Sequence, residues 1–224
     1  MKKQVAFILC IGVCLVYSFF KLDHWGNNIS RGDSWGYISY LPATFIYHDL
    51  GNYTQTVDAT RVHAPEFPDP LSDKYGLYKQ HPVTGKMVVK YTSGVATLLA
   101  PFFFIVHAFI STTGGLADGY SEPYCLALGL GVICWVLIGL YFLTILLRRY
   151  FSKEVTIVTI LTLVFATNLF YNTTLNSIMS HGLLFSLYSI YIFCIDTYYR
   201  NPTWERIIVI GCITGLITLV RMNE

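Results

Sequence analysis

Long apolar runs recur along this chain, and they restrict the possible folds more than any other feature. The first run covers residues 5–20, and further runs lie at 124–147, 155–171, 182–199 and 207–220. Each approaches the ~20 residues that a helix needs to cross a hydrocarbon layer of ~30 Å. Backbone groups in lipid must be hydrogen-bonded internally, so such runs form helices there. The sequence therefore predicts an all-α fold, a polytopic transmembrane helical bundle.

Composition excludes several other classes of protein. Only 12% of the 224 residues are charged, whereas a soluble domain carries roughly a quarter. The net charge of +2 is small and no basic stripe alternates with aromatic residues, so nucleic acid is not an expected partner. All six cysteines fall in apolar runs. We interpret them as small buried hydrophobic residues, not as a disulfide framework or a zinc site.

Residues 1–20 have two interpretations. The basic start at Lys2 and Lys3, followed by an apolar run, is typical of a signal peptide and also of a retained helix. Tyr17 and Phe19, near the end of the run, provide no small-x-small cleavage site. We favour a retained first transmembrane helix, with the signal peptide as the alternative.

Residues 21–123 are predicted to form an exoplasmic loop. Residues 21–91 are polar, rich in Pro and Gly, and too long for a simple connection. The apolar segment 92–110 is harder to interpret. We expect it to be an interfacial or re-entrant helix kinked by Pro101, and not a span.

The distribution of basic residues is the reason for this expectation. The short basic segments contain Lys2, Lys3, Arg148, Arg149, Lys153, Arg200 and Arg206. If 92–110 does not cross the membrane, all seven lie on one side, which the positive-inside rule identifies as the cytoplasm. Residues 124–224 then form four further transmembrane helices, and the N-terminus is cytoplasmic.

The string RGDSWGYISYLPATFIYHDLG predicts two short helices in the loop. Asp33 is a good N-cap, after which Trp35 and Ile38 fall on one side of a helix. Pro42 suits the first turn of a second helix that Gly51 ends. Aromatic amphipathic helices of this kind lie flat at the water–lipid boundary. We therefore expect Asp33 next to the headgroup plane.

Asp33 has a chemical and a structural interpretation. A carboxylate at this boundary can act as a general base on a substrate hydroxyl. The alternative is a helix cap with no other role. Asp49 has the same two interpretations, with a solvated turn residue as the simpler one.

Two strings carry a family resemblance: GDSWGYISYLPATFIYHDL, and KYTSGVATLLAPFFF after a polar gap. They resemble the first loop of GT-C glycosyltransferases, and are most similar to bacterial relatives of protein O-mannosyltransferases and lipid A aminoarabinose transferases. In that family a first span precedes an outer loop with an early acidic residue and two interfacial helices. A re-entrant apolar helix and regular spans follow. The chain matches this order over residues 1–221.

The resemblance implies a GT-C-like fold and an enzyme of the outer face of the bacterial inner membrane. It would move a sugar from a polyprenyl-phosphate donor to a lipid, glycan or protein acceptor, with Asp33 as the catalytic carboxylate. Many relatives have two adjacent acidic residues, whereas Ser34 follows Asp33 here, which leaves a divalent metal cofactor open. Relatives are far longer, so we expect an N-terminal fragment that is inactive alone.

The candidates for substrate binding are Tyr37, Tyr40, Asp49, Lys90, Tyr91, His181 and Arg221. A departing phosphate is negatively charged, so fixed cations beside it lower the barrier. Lys90 and Arg221 are expected at the outer boundary with Tyr91. The alternatives are headgroup snorkelling for Lys90, a membrane anchor for Arg221 and helix capping for His181.

A non-enzymatic membrane protein, such as a transporter subunit or an assembly partner, is the competing hypothesis. A transporter should have ionisable residues within its spans and show internal repeats. We find no repeat, and the spans are nearly free of charge apart from boundary arginines and Asp196, which we expect to pair with Arg200. The enzyme hypothesis is therefore favoured, with membrane lipid, a prenyl-linked sugar and an acceptor as partners.

Overall fold

A computed structural model describes residues 2–22, 33–63, 71 and 76–222. Within these ranges the chain forms ten helices and one two-stranded antiparallel sheet. The elements are α1 (Lys2–Lys21), α2 (Asp33–Ile38), α3 (Tyr40–Phe45), α4 (Thr54–His63), β1 (Tyr78–Gln80), β2 (Met87–Val89), α5 (Gly94–Thr113), α6 (Glu122–Leu147), α7 (Lys153–Phe165), α8 (Asn168–Thr174), α9 (Ser180–Arg200) and α10 (Trp204–Val220). The helical prediction is thus confirmed, with a β-hairpin added. Residues 23–32, 64–70 and 72–75 of the predicted loop lie outside the described residues.

Four helices in the described ranges are long and apolar enough to cross a membrane: α1, α5, α6 and α9. The protein is therefore an integral membrane protein. Helix α10 has 17 residues, slightly fewer than the ~20 of a typical span.

The span predicted at 155–171 is bent in the structure, so it is a broken span or a re-entrant segment. Helices α7 and α8 meet at a bend of 57°. Thr167 has extended backbone there, and its hydroxyl accepts the N–H of Leu169 at 3.1 Å. This side chain caps a new helix inside the apolar run, which is what Thr and Asn favour at helix starts.

Helix α1 runs antiparallel to α6. Near the middle of α1, Gly12 faces the side chain of Leu137. Further along α1, Phe19 packs against Gly129, which is earlier in α6. The end of α1 therefore lies beside the first half of α6.

Helix α9 runs parallel to α6, and α10 returns antiparallel to α9. The backbone of Ser186 lies against Gly139, and the rings of Phe193 and Phe142, later in both helices, have centroids 5.0 Å apart. Small residues at such contacts let two helix backbones approach closely.

Helix α5 has the length of a span but the direction of α1. Trp135 Nε1 donates to the Leu98 carbonyl at 3.0 Å, and His107 Nδ1 lies 2.6 Å from the Tyr124 hydroxyl. Helix α5 is therefore antiparallel to α6, and it is continuous through Pro101. We use the word lobe for helices α2 to α4 and the β-hairpin. The start of α5 lies beside the end of α10, where the lobe joins it. Helix α6, and not α5, therefore carries the chain away from the lobe. The interfacial or re-entrant position of α5 in the membrane stays a prediction.

Basic side chains gather at the end where α6 and α9 finish. One group lines a groove and consists of Lys3, Arg148 and Lys153. A second group surrounds a carboxylate: Arg200 Nε donates to Asp196 Oδ2 at 3.0 Å, as predicted, and Arg149 binds the same carboxylate. This common location agrees with the predicted topology.

The two short helices of the loop occur where the sequence predicts them, with a difference in burial. Helix α3 ends at Phe45 and not at Gly51. Helix α2 is buried over Ser34, Trp35, Gly36, Tyr37 and Ile38. A helix with one apolar side would leave its polar residues exposed, so α2 is better described as a packed element of the lobe.

All six cysteines are free, and most are not buried. Only Cys125 is buried within the protein, while Cys194 is half-buried and the other four are exposed on the outer faces of their helices. The prediction of buried cysteines is therefore wrong for these four, because an apolar run in a membrane helix has an outward face as well as a packed one.

Candidate functional site

A cavity of about 370 Å³ lies where the lobe meets the ends of the helices opposite the basic end. It is formed by the start of α2, the segment before α5, the start of α9 and the end of α10. Its lining residues are Asp33, Tyr37, Lys90, Tyr91, Thr92, Met179, Ser180, His181, Val220, Arg221 and Met222. Six of the eight candidates chosen from the sequence are among them.

Helix α2 holds Asp33 against the start of α9. The Ser34 hydroxyl lies 3.7 Å from Met179 Sδ, and the Tyr37 hydroxyl donates to Ser180 Oγ at 3.4 Å. Both contacts join residues that are far apart in sequence. They fix the half-buried Asp33, in the first turn of α2, at one wall of the cavity.

The ring of Tyr91 lies directly on α2. Its centroid is 4.4 Å from that of Tyr37. A Cβ atom on Gly36 would overlap the Tyr91 ring, so glycine is required for this approach. The Tyr40 hydroxyl donates to the Tyr91 carbonyl at 2.6 Å. Tyr40 therefore positions Tyr91 and does not itself line the cavity.

The Tyr91 hydroxyl is buried and has no hydrogen-bond partner among the described residues. Burial raises the pKa of Tyr91, and the nearby Asp33 carboxylate raises it further. The phenol is thus a neutral donor at neutral pH.

Positive groups surround the rest of the cavity. Lys90 Nζ lies 5.2 Å from the centroid of the Tyr91 ring. Lys90, His181 and Arg221 are exposed, so their side chains can reach a ligand. The 21-residue helix α9 also begins here, and a helix start carries partial positive charge. Among the lining residues Asp33 is the only carboxylate, so the cavity suits an anionic ligand.

Tyr37 lies between these opposite charges. Burial raises the pKa of Tyr37, the Ser180 hydroxyl lowers it, Asp33 raises it and Arg221 lowers it. One aromatic side chain thus senses both the carboxylate and the arginine, although Asp33 and Arg221 are at opposite ends of the sequence.

No family model, curated protein or solved structure matches the chain. The function is therefore inferred from the chemistry of the cavity and from the resemblance of the first loop. His181 is a candidate for ligand contact, because the cap position of α9 is Met179 and not His181. The capping alternative for His181 is thus wrong.

Asp49 is the candidate that the structure separates from the cavity. Its carboxylate accepts the Thr56 N–H at 3.0 Å and the Thr56 hydroxyl at 2.7 Å. Asp49 is 8% exposed, so it is a buried capping residue of α4 and not a solvated turn residue. Its predicted contact with substrate has no geometric support here.

The described residues contain no group of three or more His, Cys, Asp or Glu side chains that could hold a metal ion. The geometry therefore names no ligands for a divalent cation. Sequence reasoning missed Thr92, Met179 and Ser180 in the lining. Ser180 adjoins His181, but its contact with Tyr37 is a tertiary one that no local pattern indicates.

Proposed function

We propose that the protein is a GT-C-type glycosyltransferase that uses a polyprenyl-phosphate-linked sugar. The acceptor is a lipid, glycan or protein hydroxyl on the outer side of a bacterial inner membrane. The observation that carries this proposal is the meeting of Asp33 with Lys90, His181 and Arg221 around one cavity. One base and two cations, Lys90 and Arg221, in one site are the groups that this reaction needs.

The transfer forms one bond to the anomeric carbon of the sugar and breaks another. The acceptor oxygen attacks the anomeric carbon of the donor sugar, and the acceptor proton passes to the Asp33 carboxylate. The bond between the anomeric carbon and the phosphate oxygen breaks. Polyprenyl phosphate leaves with the bonding electrons, so negative charge grows on the phosphate as the reaction proceeds.

The cavity is suited to stabilise that charge. Lys90 and Arg221 supply fixed positive charge, and the start of α9 supplies the partial charge of its free N–H groups. The neutral Tyr91 hydroxyl can donate to the phosphate or to the sugar. Since these groups interact more strongly with the leaving phosphate than with the donor, they favour the transition state.

The orientation belongs to the same proposal. The basic residues gather at the end of the bundle far from the cavity, and the positive-inside rule assigns that end to the cytoplasm. The N-terminus at Lys2 is then cytoplasmic, and the cavity is exoplasmic. A donor anchored in the outer leaflet would reach it from the lipid.

Replacement of Asp33 tests the catalytic step. The Asp33→Asn variant keeps the size of the side chain and removes the base, so transfer should fall by about 10²–10⁴-fold. The measurement uses membranes that contain the full-length protein, with polyprenyl phosphates carrying radiolabelled mannose or 4-amino-arabinose. Label in endogenous lipid, glycan and protein is then counted.

Asp58→Asn is the matched control. Asp58 is an exposed residue of α4 that pairs with Arg61 at 2.9 Å, and it is not among the residues that line the cavity. Its replacement should leave transfer unchanged. Undiminished transfer by Asp33→Asn would remove the base from the mechanism, and no transfer by the wild-type full-length protein from either donor would count against the enzyme.

A further inference from the structure

A second cavity lies at the basic end of the bundle, far from the site described above. It is a groove of about 590 Å³ between α1 and α7, with Thr144 of α6 in its floor. This volume is within the roughly 300–1,000 Å³ of small-molecule sites. The bend after α7 directs α8 towards α1.

The mouth of the groove is positively charged. Lys3, Arg148 and Lys153 line it, and no carboxylate does. Glu154 follows Lys153 in the exposed first turn of α7 and offsets part of this charge. The net result is still a cluster of cations at one end of an otherwise uncharged channel.

The walls of the groove away from its mouth are mainly hydrocarbon. Ala6, Phe7 and Ile157 contribute hydrocarbon surface. The two threonine hydroxyls are occupied within their own helices: Thr144 donates to Leu140 at 2.7 Å and Thr156 donates to Ser152 at 2.9 Å. Their protons are therefore not available to an anionic ligand, and Gln4, next to Lys3, is the one uncharged amide in the lining.

We propose that this groove binds an anionic phospholipid of the inner leaflet. The phosphate would lie among Lys3, Arg148 and Lys153, and one acyl chain would lie between α1 and α7. Charge complementarity identifies this occupant, since basic pockets between membrane helices on the cytoplasmic side select anionic headgroups. A zwitterionic lipid such as phosphatidylcholine has the same phosphate, but its own ammonium group would be repelled by the three basic side chains. The proposal is independent of the glycosyltransferase function.

The test measures lipid retention by the full chain. The protein is assembled in nanodiscs of equal parts dioleoyl-phosphatidylglycerol and dioleoyl-phosphatidylcholine, released into mild detergent and weighed by native mass spectrometry. The wild-type chain should retain phosphatidylglycerol in preference. Replacing Lys3, Arg148 and Lys153 together by Gln should weaken that retention at least about tenfold.

A steric variant provides a second test with a matched control. Cys10 lines the groove, so Cys10→Trp should fill it and expel the lipid. Cys14 lies one turn later on α1, is also exposed, and is outside the lining. Cys14→Trp should therefore retain phosphatidylglycerol. Gel filtration and circular dichroism establish that each variant is folded.

Retention by the wild-type chain and by Cys14→Trp, with loss in the other two variants, supports the proposal. Equal retention of both lipids, retention by all four proteins, or occupation of the groove by a second copy of the chain would overturn it.

Discussion

Asp33 has a structural effect and a chemical one at the start of α2. A carboxylate in the first turn interacts favourably with the free N–H groups of a helix start. Its charge also adds to burial in raising the pKa of Tyr91. Substitution by Ala would remove both effects together. Substitution by Asn removes the charge but keeps the size of the side chain and a hydrogen-bond acceptor at the helix start, so Asp33→Asn disturbs α2 less than Ala would.

Gly36 is the residue that lets Tyr91 reach this carboxylate. In the Gly36→Ala variant the added methyl group would overlap the Tyr91 ring. Overpacking of this kind costs about 1–3 kcal/mol. We expect a lower thermal unfolding midpoint, together with weaker sugar transfer, because the Tyr91 ring must move away from α2. Thermal unfolding in detergent and the radiolabel assay measure the two effects.

Gly215→Ala is the matched control for that variant. Gly215 is in α10, and a Cβ atom there would meet nothing within 4 Å. In a helix interior Ala is favoured over Gly by about 0.8–1 kcal/mol. Gly215→Ala should therefore keep or raise the unfolding midpoint. An equal decrease in both variants would show that the Tyr91 contact is not the cause.

The composition of the cavity was predictable for charged residues and less so for small ones. Lys90 and Arg221 stand out because they flank apolar runs at the boundary where a phosphate would lie, and Asp33 stands out because it precedes a short aromatic amphipathic segment. Met179 and Ser180 have no such signal. Their role depends on tertiary contact with α2, which a single sequence does not encode locally.

At the scale of elements, local polar signals account for the two departures from the predicted fold. Thr167 begins a new helix inside an apolar run, and hydropathy averaged over a span hides a single capping residue. The turn of the β-hairpin contains Gly85, whose φ of +65° suits glycine. The hairpin's strands of three residues each are too short to give a clear periodic pattern.

The connection between α5 and α6 is joined to α4 by one acidic residue. Asp118 Oδ2 lies 2.5 Å from His63 Nε2, and Asp118 Oδ1 accepts the N–H groups of Tyr120 and Ser121 at 2.9 and 2.8 Å. Burial raises the pKa of Asp118, but these N–H groups and His63 outweigh it, so the pKa is lowered overall.

Acid should therefore destabilise this junction. A carboxyl whose folded pKa is lowered adds stability that is fully present above the unfolded pKa of about 3.9 and is lost as the pH falls through the folded value. We expect the thermal unfolding midpoint of the wild-type chain to decrease when the pH is lowered below about 4. In the Asp118→Asn variant the unfolding midpoint should be lower at neutral pH, and it should decrease less as the pH is lowered.

The exposed Asp58 again provides the comparison for this pH dependence. Its ion pair with Arg61 is solvent-accessible on both sides, and such pairs contribute about 0–1 kcal/mol. Asp58→Asn should thus keep the acid dependence of the wild-type chain. If Asp118→Asn kept it as well, another group would be responsible for the acid sensitivity.

For the whole molecule, the directions of the helices separate two chemically different ends. Helices α6 and α9 run together towards the arginines and lysines, α1 and α10 run the opposite way, and α5 begins at the cavity and points away from the basic end. The sequence predicted the grouping of basic residues from the positive-inside rule alone. It did not predict the direction of α5, because direction depends on which helix α5 packs against.

The direction of α5 leads to a topology prediction. Val83 is in the lobe and Thr112 is near the end of α5, and both are exposed. Because α5 does not carry the chain to the basic end, Val83→Cys and Thr112→Cys should both react with a membrane-impermeant maleimide in intact cells. Ser152→Cys, beside the basic groove, should react only after permeabilisation. The unmodified chain measures background from the native cysteines.

The pattern of labelling separates the possible arrangements. If α5 crossed the membrane, Val83→Cys and Thr112→Cys would react on opposite sides. If the whole chain were inverted, Ser152→Cys would react in intact cells and the other two would not, which would move the cavity to the cytosol. A polyprenyl-linked sugar on the outer leaflet could not reach Asp33 in that arrangement. The proposed transfer therefore requires Val83→Cys and Thr112→Cys to react together from outside.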